Sequence, residues 1–188
     1  VEEVGSNVKN FKPGDRVLTS PIIGCGNCEY CLKKEENKCD TYVSVLGGFA
    51  ESIVLHENNV IPIPDSLTFE EASALPISYL TAWNMLFTKA KVSKKEMVLF
   101  WGASSGVGTA GILLLENNPN VIAVAGTDEK LNKLKDLGIQ KLINYKTDNV
   151  FEKVMEYTDG AGVDVIFDPV GRAAWNQNLE ILKNNGRH

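Results

Sequence analysis

From residue 98 onward the chain alternates short apolar runs with segments of helical periodicity, and that alternation leaves few folds open to it. The runs at 98–101, 121–125, 141–144 and 163–168 are four to six residues long and rich in Val, Ile, Leu and Phe, the composition of strands buried on both faces. Between and after them, 109–115, 128–137, 150–157 and 172–183 read as helices. Leu131, Leu134 and Leu137 share one face of 128–137, and Gly138 stops it. Asn117-Asn118-Pro119 stops the first helix. Strand and helix repeated in this way predict an α/β fold with a doubly wound parallel sheet. Four strands are expected, with the chain stopping where a fifth would begin; a complete sheet of this kind has about six. With no initiating Met either, the sequence is expected to be a piece of a longer chain, cut at both ends.

The first 66 residues follow a different pattern. Lys12-Pro13-Gly14-Asp15 is a turn, followed by a strand at 16–19. Gly47-Gly48 is a second turn, followed by strands at 49–55 and 60–63, closed by Pro62 and Pro64. The expected organisation is a β-rich domain over 1–66 and an α/β domain over 67–188. Thr68 and Glu71 form a capping box at the start of the second, and Pro76 is expected to kink or restart that helical stretch.

All four cysteines fall in one loop of the β-rich part, spaced Cys25-x2-Cys28-x2-Cys31-x7-Cys39. A disulfide framework spreads cysteines over a small secreted domain; clustering in one loop of a larger chain points to a metal in a reducing compartment. Four thiolates can surround zinc tetrahedrally, and with no fifth donor the site is closed and therefore structural. An iron–sulfur run has similar spacing at its start, but wants its fourth Cys after about three residues with Pro next; here Asp40 follows Cys39. Disulfides or free thiols are the remaining alternative.

The segment from Val98 through Trp101 into Gly102-Ala103-Ser104-Ser105-Gly106-Val107-Gly108 carries a strand into a helix through glycines. Gly102 would turn the chain, Gly106 would admit a pyrophosphate against the backbone, and Gly108 would let helix and strand pack closely. The helix N-terminus supplies N–H groups and a positive dipole end for phosphates. The competing reading is a glycine turn with no ligand, since the strict G-x-G-x-x-G is absent. At the end of the next strand an NAD site usually carries Asp or Glu; here the residues are Ala125, Gly126 and Thr127. Without that carboxylate to repel a 2′-phosphate, and with Thr127 and Lys130 nearby, NADP(H) is favoured over NAD(H). Asp128 stands as a competing ribose ligand or a first-turn helix acid.

A net charge of −5 argues against nucleic acid or an anionic membrane surface as partner. No apolar run reaches the ~18 residues of a membrane helix, and the opening Val1-Glu2-Glu3 has no leader character. A cytoplasmic protein is expected.

Lys12-Pro13-Gly14-Asp15-Arg16-Val17, the cysteine loop, Gly47-Gly48-Phe49-Ala50-Glu51, the stretch from Leu75 through Tyr79 and Thr81 to Trp83, the glycine turn and the run from Gly162 to Asp168 occur in this order. That ordered set resembles the medium-chain dehydrogenases/reductases, the zinc-containing alcohol dehydrogenases and quinone reductases among them. The resemblance implies a partial GroES-like domain bearing a structural zinc lobe, then a Rossmann-type nucleotide domain. It implies that Thr81 lies near the nicotinamide, that the backbone at Val170 and Gly171 meets its carboxamide, and that Thr127, Lys130 and Tyr145 surround a 2′-phosphate; for Tyr145 the alternative is a packed aromatic at a strand end. Family members with a catalytic zinc carry a Cys in the segment that reads Leu75-Pro76-Ile77-Ser78 here. Ile77 cannot ligate, and the segment that bears the other ligands precedes this sequence. His56 reads as a surface residue, and His188 is uninformative.

The expected reaction is hydride transfer between a nicotinamide and a small carbonyl or conjugated C=C substrate, such as a quinone, an enone or an enoyl thioester. Tyr79 is the nearest candidate hydrogen-bond donor to the substrate carbonyl, with helix packing as its competing role. A zinc-catalytic alcohol dehydrogenase and a nonenzymatic NADPH-binding protein are the alternatives. The full-length protein is expected to be a homo-oligomer.

Overall fold

The computed structural model describes residues 1–45, 48–116, 118 and 120–188, in two compact units, Val1–Ile77 and Ser78–His188. Gly47 of the expected turn, and Asn117 and Pro119 of the expected helix stop, lie outside the described residues.

In the first unit β1 (Val17–Thr19) and β2 (Ile22–Ile23) precede a single helical turn, α1 (Glu29–Leu32), and β3 (Val43–Ser44) and β4 (Val60–Pro62) follow it. β1 pairs antiparallel with β4, and β2 with β3. The strand expected at 49–55 does not form: the stretch pairs with neither two-stranded sheet, and Phe49 and Val54 are almost wholly exposed. Alternation alone cannot hold a strand without a neighbour to take its N–H and C=O groups. α2 (Phe69–Ser73) opens as expected, with Thr68 Oγ1 accepting from Glu71 N at 3.1 Å and the Glu71 carboxylate accepting from Thr68 N at 2.9 Å. Pro76, which has no N–H to give, falls in a widened π-type turn over Leu75–Tyr79.

The second unit begins with α3 (Leu80–Trp83), followed by another π-type turn (Asn84–Lys89). β5 (Val98–Phe100), α4 (Gly106–Leu114), β6 (Val121–Ala125), α5 (Asp128–Asp136), β7 (Lys141–Asn144), α6 (Val150–Tyr157), β8 (Val163–Phe167), α7 (Trp175–Ile181) and β9 (Leu182–Arg187) then alternate. The five strands are parallel, in the order β7-β6-β5-β8-β9. The chain winds outward from β5 in one direction and then returns to wind in the other. A crevice therefore opens between the carboxyl ends of β5 and β8, the switch point where ligands of such sheets bind.

β9 corrects the expectation of four strands and of a helix running to residue 183. Its sequence Leu182-Lys183-Asn184-Asn185-Gly186-Arg187 is too polar to read as a buried strand, because it lies at the sheet edge and its register against β8 shifts between Val163 and Val165. Helix α4 also starts three residues earlier than read, at Gly106.

Period-two alternation sends the sheet's side chains into two cores. Val98 and Phe100 pack with Ala82, Leu86, Ala110 and Leu131 on one face. Leu99 and Trp101 pack with Ile122, Val124, Val150, Ala174 and Ile181 on the other. Among the described residues no helix is long and apolar enough to cross a membrane.

Candidate functional site: a thiol cage and a nucleotide cavity

The four cysteine sulfurs lie within 4.8 Å of one another. None is in a disulfide, and Cys25 and Cys31 Sγ stand 3.9 Å apart, far beyond the ~2.05 Å of a sulfur–sulfur bond. A tetrahedron with metal–sulfur bonds of ~2.3 Å has edges of about 3.8 Å, so one ion fits among these four; a multi-iron cluster would hold them further apart. The loop turns its own N–H groups onto the sulfurs: Cys28 N donates to Cys25 Sγ at 3.3 Å, Cys31 N to Cys28 Sγ at 3.4 Å, and Cys25 N to Cys39 Sγ at 3.5 Å. Gly24 must be small, because a Cβ there would stand 2.5 Å from Cys31 Sγ.

These contacts set the charges. The N–H groups of Asn27 and Cys28 hold the Cys25 thiol below its ordinary value. Those of Cys25, with the Thr41 hydroxyl, bring Cys39 down to about 6. Burial pushes Cys31 up to about 12. A cation held in the cage would work against that rise and favour the Cys31 thiolate.

In the second unit a cavity of about 590 Å³ lies at the carboxyl end of the sheet. Gly102, Ser104 and Ser105 form one wall, Lys130 and Tyr145 another, and Val170 a third. Gly102, at φ +56°, makes the turn. Ser105 caps α4, its Oγ accepting from Gly108 N at 3.1 Å, which leaves the N–H groups of Gly106 and Val107 without intrahelical acceptors. Val107 itself packs toward the core. Gly108 has the role expected of it, since a Cβ would stand 2.9 Å from Ala103 Cα. At Gly106 a Cβ would stand 2.9 Å from Ser78 Oγ, so the glycine also leaves room for that hydroxyl.

The strand ends match the expectation less evenly. Thr127 caps α5, its Oγ1 accepting from Lys130 N at 3.4 Å, and it does not line the cavity. Asp128 is taken by Asn144, whose Nδ2 donates to it at 2.8 Å. Tyr145 leaves β7 and lies over Gly126, where a Cβ would stand 2.6 Å from its hydroxyl. The Val170 and Gly171 N–H groups already donate to Asp168 Oδ1 at 2.7 and 2.9 Å, so only their carbonyls remain for a ligand. Val170 stands with Lys130 and Tyr145, whereas Thr81, exposed on α3, lines no part of this cavity. Tyr79 is half-buried against the core, the packing role given as its alternative, and Ile77 is exposed.

Sequence reading missed Trp101, Gly126, Asp148, Asn149 and Gln177, which also line the cavity. Trp101 and Gly126 had a usable signal, since each directly continues a buried strand toward a named site residue. Asp148, Asn149 and Gln177 had none, because they arrive from loops and helices whose approach the sequence does not state.

A doubly wound sheet with a glycine-turned, serine-capped helix at its switch point defines a Rossmann-type dinucleotide domain. Residues 106–188 match the zinc-binding dehydrogenase family and residues 1–65 the alcohol dehydrogenase GroES-like domain. The chain is 30% identical over its whole length to a quinone oxidoreductase of Pongo abelii, covering 50% of it. It is 33% identical to an alcohol dehydrogenase of Geobacillus stearothermophilus over 99% of the chain and 56% of the relative. A solved NAD-dependent alcohol dehydrogenase superposes with a TM-score of 0.91 at 38% identity, over 99% of this chain and 56% of that one. The chain spans about half the length of the curated relatives it matches. It belongs to the medium-chain dehydrogenase/reductase superfamily.

Proposed function

We propose that the protein is an NADP(H)-preferring oxidoreductase that transfers hydride to or from a small carbonyl or conjugated C=C substrate, with a structural zinc in the cysteine lobe. The observation that carries this reading is the single cavity bounded on one side by the N-terminus of α4 and on the other by Lys130 and Tyr145. The free N–H groups of Gly106 and Val107 would hold the diphosphate. Lys130, which has no ion-pair partner among the described residues, and the Tyr145 hydroxyl would hold a 2′-phosphate. The choice of NADP(H) is supported by the engagement of both neighbouring carboxylates with Asn144, Asp128 by its Nδ2 and the cavity-lining Asp148 by its N–H, each at 2.8 Å. When bound, the nicotinamide supplies or accepts the hydride. The cage of four thiols supports zinc, held in a closed site with no vacancy for substrate.

Substrate class rests on Ile77. An exposed isoleucine offers no metal ligand where catalytic-zinc relatives carry a Cys, which favours reduction of quinones, enones or enoyl thioesters by hydrogen-bond polarisation. Similarity to an NAD-dependent alcohol dehydrogenase supports the second reading, an alcohol dehydrogenase with a catalytic zinc held elsewhere. The test is turnover of a quinone and enone panel and an alcohol panel by the full-length protein, with NADPH or NADP⁺, alongside its zinc stoichiometry. Reduction of the first panel with one zinc per chain bears out the proposal. Alcohol oxidation needing a second zinc favours the alternative, and nucleotide binding with no turnover on either panel leaves a nonenzymatic binder.

A further inference from the structure

One buried amide joins two walls of the cavity. Asn178, in α7, is 1% exposed. Its Oδ1 accepts from Trp101 Nε1 at 2.6 Å, and its Nδ2 donates to Asp168 Oδ2 at 2.8 Å. Trp101 is the residue before the turning Gly102, and its ring borders the cavity 6.4 Å from that of Tyr145. Asp168, with a side chain 1% exposed, spends its other oxygen on the Val170 and Gly171 N–H groups. His188 Nε2 lies 3.2 Å from both Asp168 Oδ2 and Asn178 Nδ2. No apolar side chain could fill this place, because it would orphan an indole N–H and a buried carboxylate together. An acid could not either while residue 168 is Asp, because it would set two carboxylates against each other.

We infer that Asn178 is a positioning residue for nucleotide binding: its amide fixes the indole of Trp101 and the turn at 168–171 at one spacing, and so sets the width of the cavity. The inference rests on the nucleotide reading proposed above. Its function needs an acceptor toward Trp101 and a donor toward Asp168, which yields a test by exchange. Asn178→Asp removes the donor. Adding Asp168→Asn restores it with roles reversed, since an amide at 168 can donate to a carboxylate at 178 while its oxygen still accepts from the Val170 and Gly171 N–H groups.

The experiment uses the full-length protein in a background where every tryptophan other than Trp101, including Trp83 and Trp175, is replaced by Phe, so that Trp101 fluorescence reports on this stretch of wall. NADPH and NADH affinities are measured by calorimetry. Asn178→Asp is expected to weaken both by about tenfold, the scale of one unsatisfied buried group, and to shift Trp101 emission without nucleotide present. The exchanged pair is expected to recover affinity to within about threefold and to return the emission. Should Asn178→Asp fail to fold, Trp101→Phe, which removes the indole donor together with part of the ring, is expected to weaken both nucleotides several-fold. If the parent binds nucleotide and these variants bind it equally well, or if the folded exchange recovers nothing, the inference is overturned while the nucleotide reading stands. If the parent binds no nucleotide, that reading fails and takes the inference with it.

Discussion

Lys130 and Tyr145 reach the cavity from different elements, and Gly126, which also lines it, makes room for the Tyr145 ring. Lys130→Ala is expected to weaken NADPH by about tenfold while leaving NADH within about twofold, because it removes a charge that only the 2′-phosphate can use. Calorimetry with both nucleotides at fixed ionic strength checks this, and equal losses would remove Lys130 from the phosphate site. Gly126→Val should cost roughly 1–3 kcal/mol in stability by driving Tyr145 off its place. In a Tyr145→Ala background the same change should cost less, a non-additivity readable from denaturation midpoints. Residues of this kind were legible only in part. Lys130 announced itself by charge and spacing, whereas Gly126 looked like an ordinary strand end, because its reason for being glycine is a ring that arrives from β7.

At the scale of elements, the cysteine lobe was legible nearly whole, since its ligands, turns and glycines all lie within one short segment. Cys39→Ser should lower bound zinc toward zero in the purified full-length protein, assayed by elemental analysis, and leave nucleotide affinity within about twofold. Unchanged zinc content would count against the four-thiol cage. Strand β9 was illegible for the opposite reason: polar contacts, not apolar burial, brace it. Lys183 pairs with Asp164 at 2.9 Å and Arg187 with Glu96 at 2.6 Å. Partial burial works to raise both acids, but the Met97 N–H and Lys183 at Asp164, and Arg187 and the Ser93 N–H at Glu96, outweigh it and leave both below their ordinary values. Carboxyls depressed in the folded state stabilise it above their unfolded pKa of ~4, and that contribution disappears as pH falls through the folded values. Unfolding midpoints should therefore drop as pH is lowered through and below about 4. Asp164→Asn should flatten that slope in a pH series of melts, and an unchanged slope would exclude the pair as a brace.

Across the whole molecule, strands and helices of the second unit were readable because their burial pattern is local, while strand order and cavity walls were not, because they depend on pairings between distant residues. Val98 lies opposite both Val121 and Val165, and nothing in the neighbourhood of Val98 states either partner. The expected strand at 49–55 failed on the same ground, since a periodic sequence does not supply a neighbour.

The placement of the cysteines also bears on the order of events during synthesis. All four fall between residues 25 and 39, so closing that loop demands little chain entropy, and its N–H groups are already turned toward sulfur. The central strand β5, by contrast, must await β8, more than sixty residues later, before its second side is covered. The zinc proposed for the lobe could thus be captured while the second unit is still on the ribosome, and a cell starved of that ion would then meet its first fault in this chain early, at the lobe, before any cofactor had a place to dock.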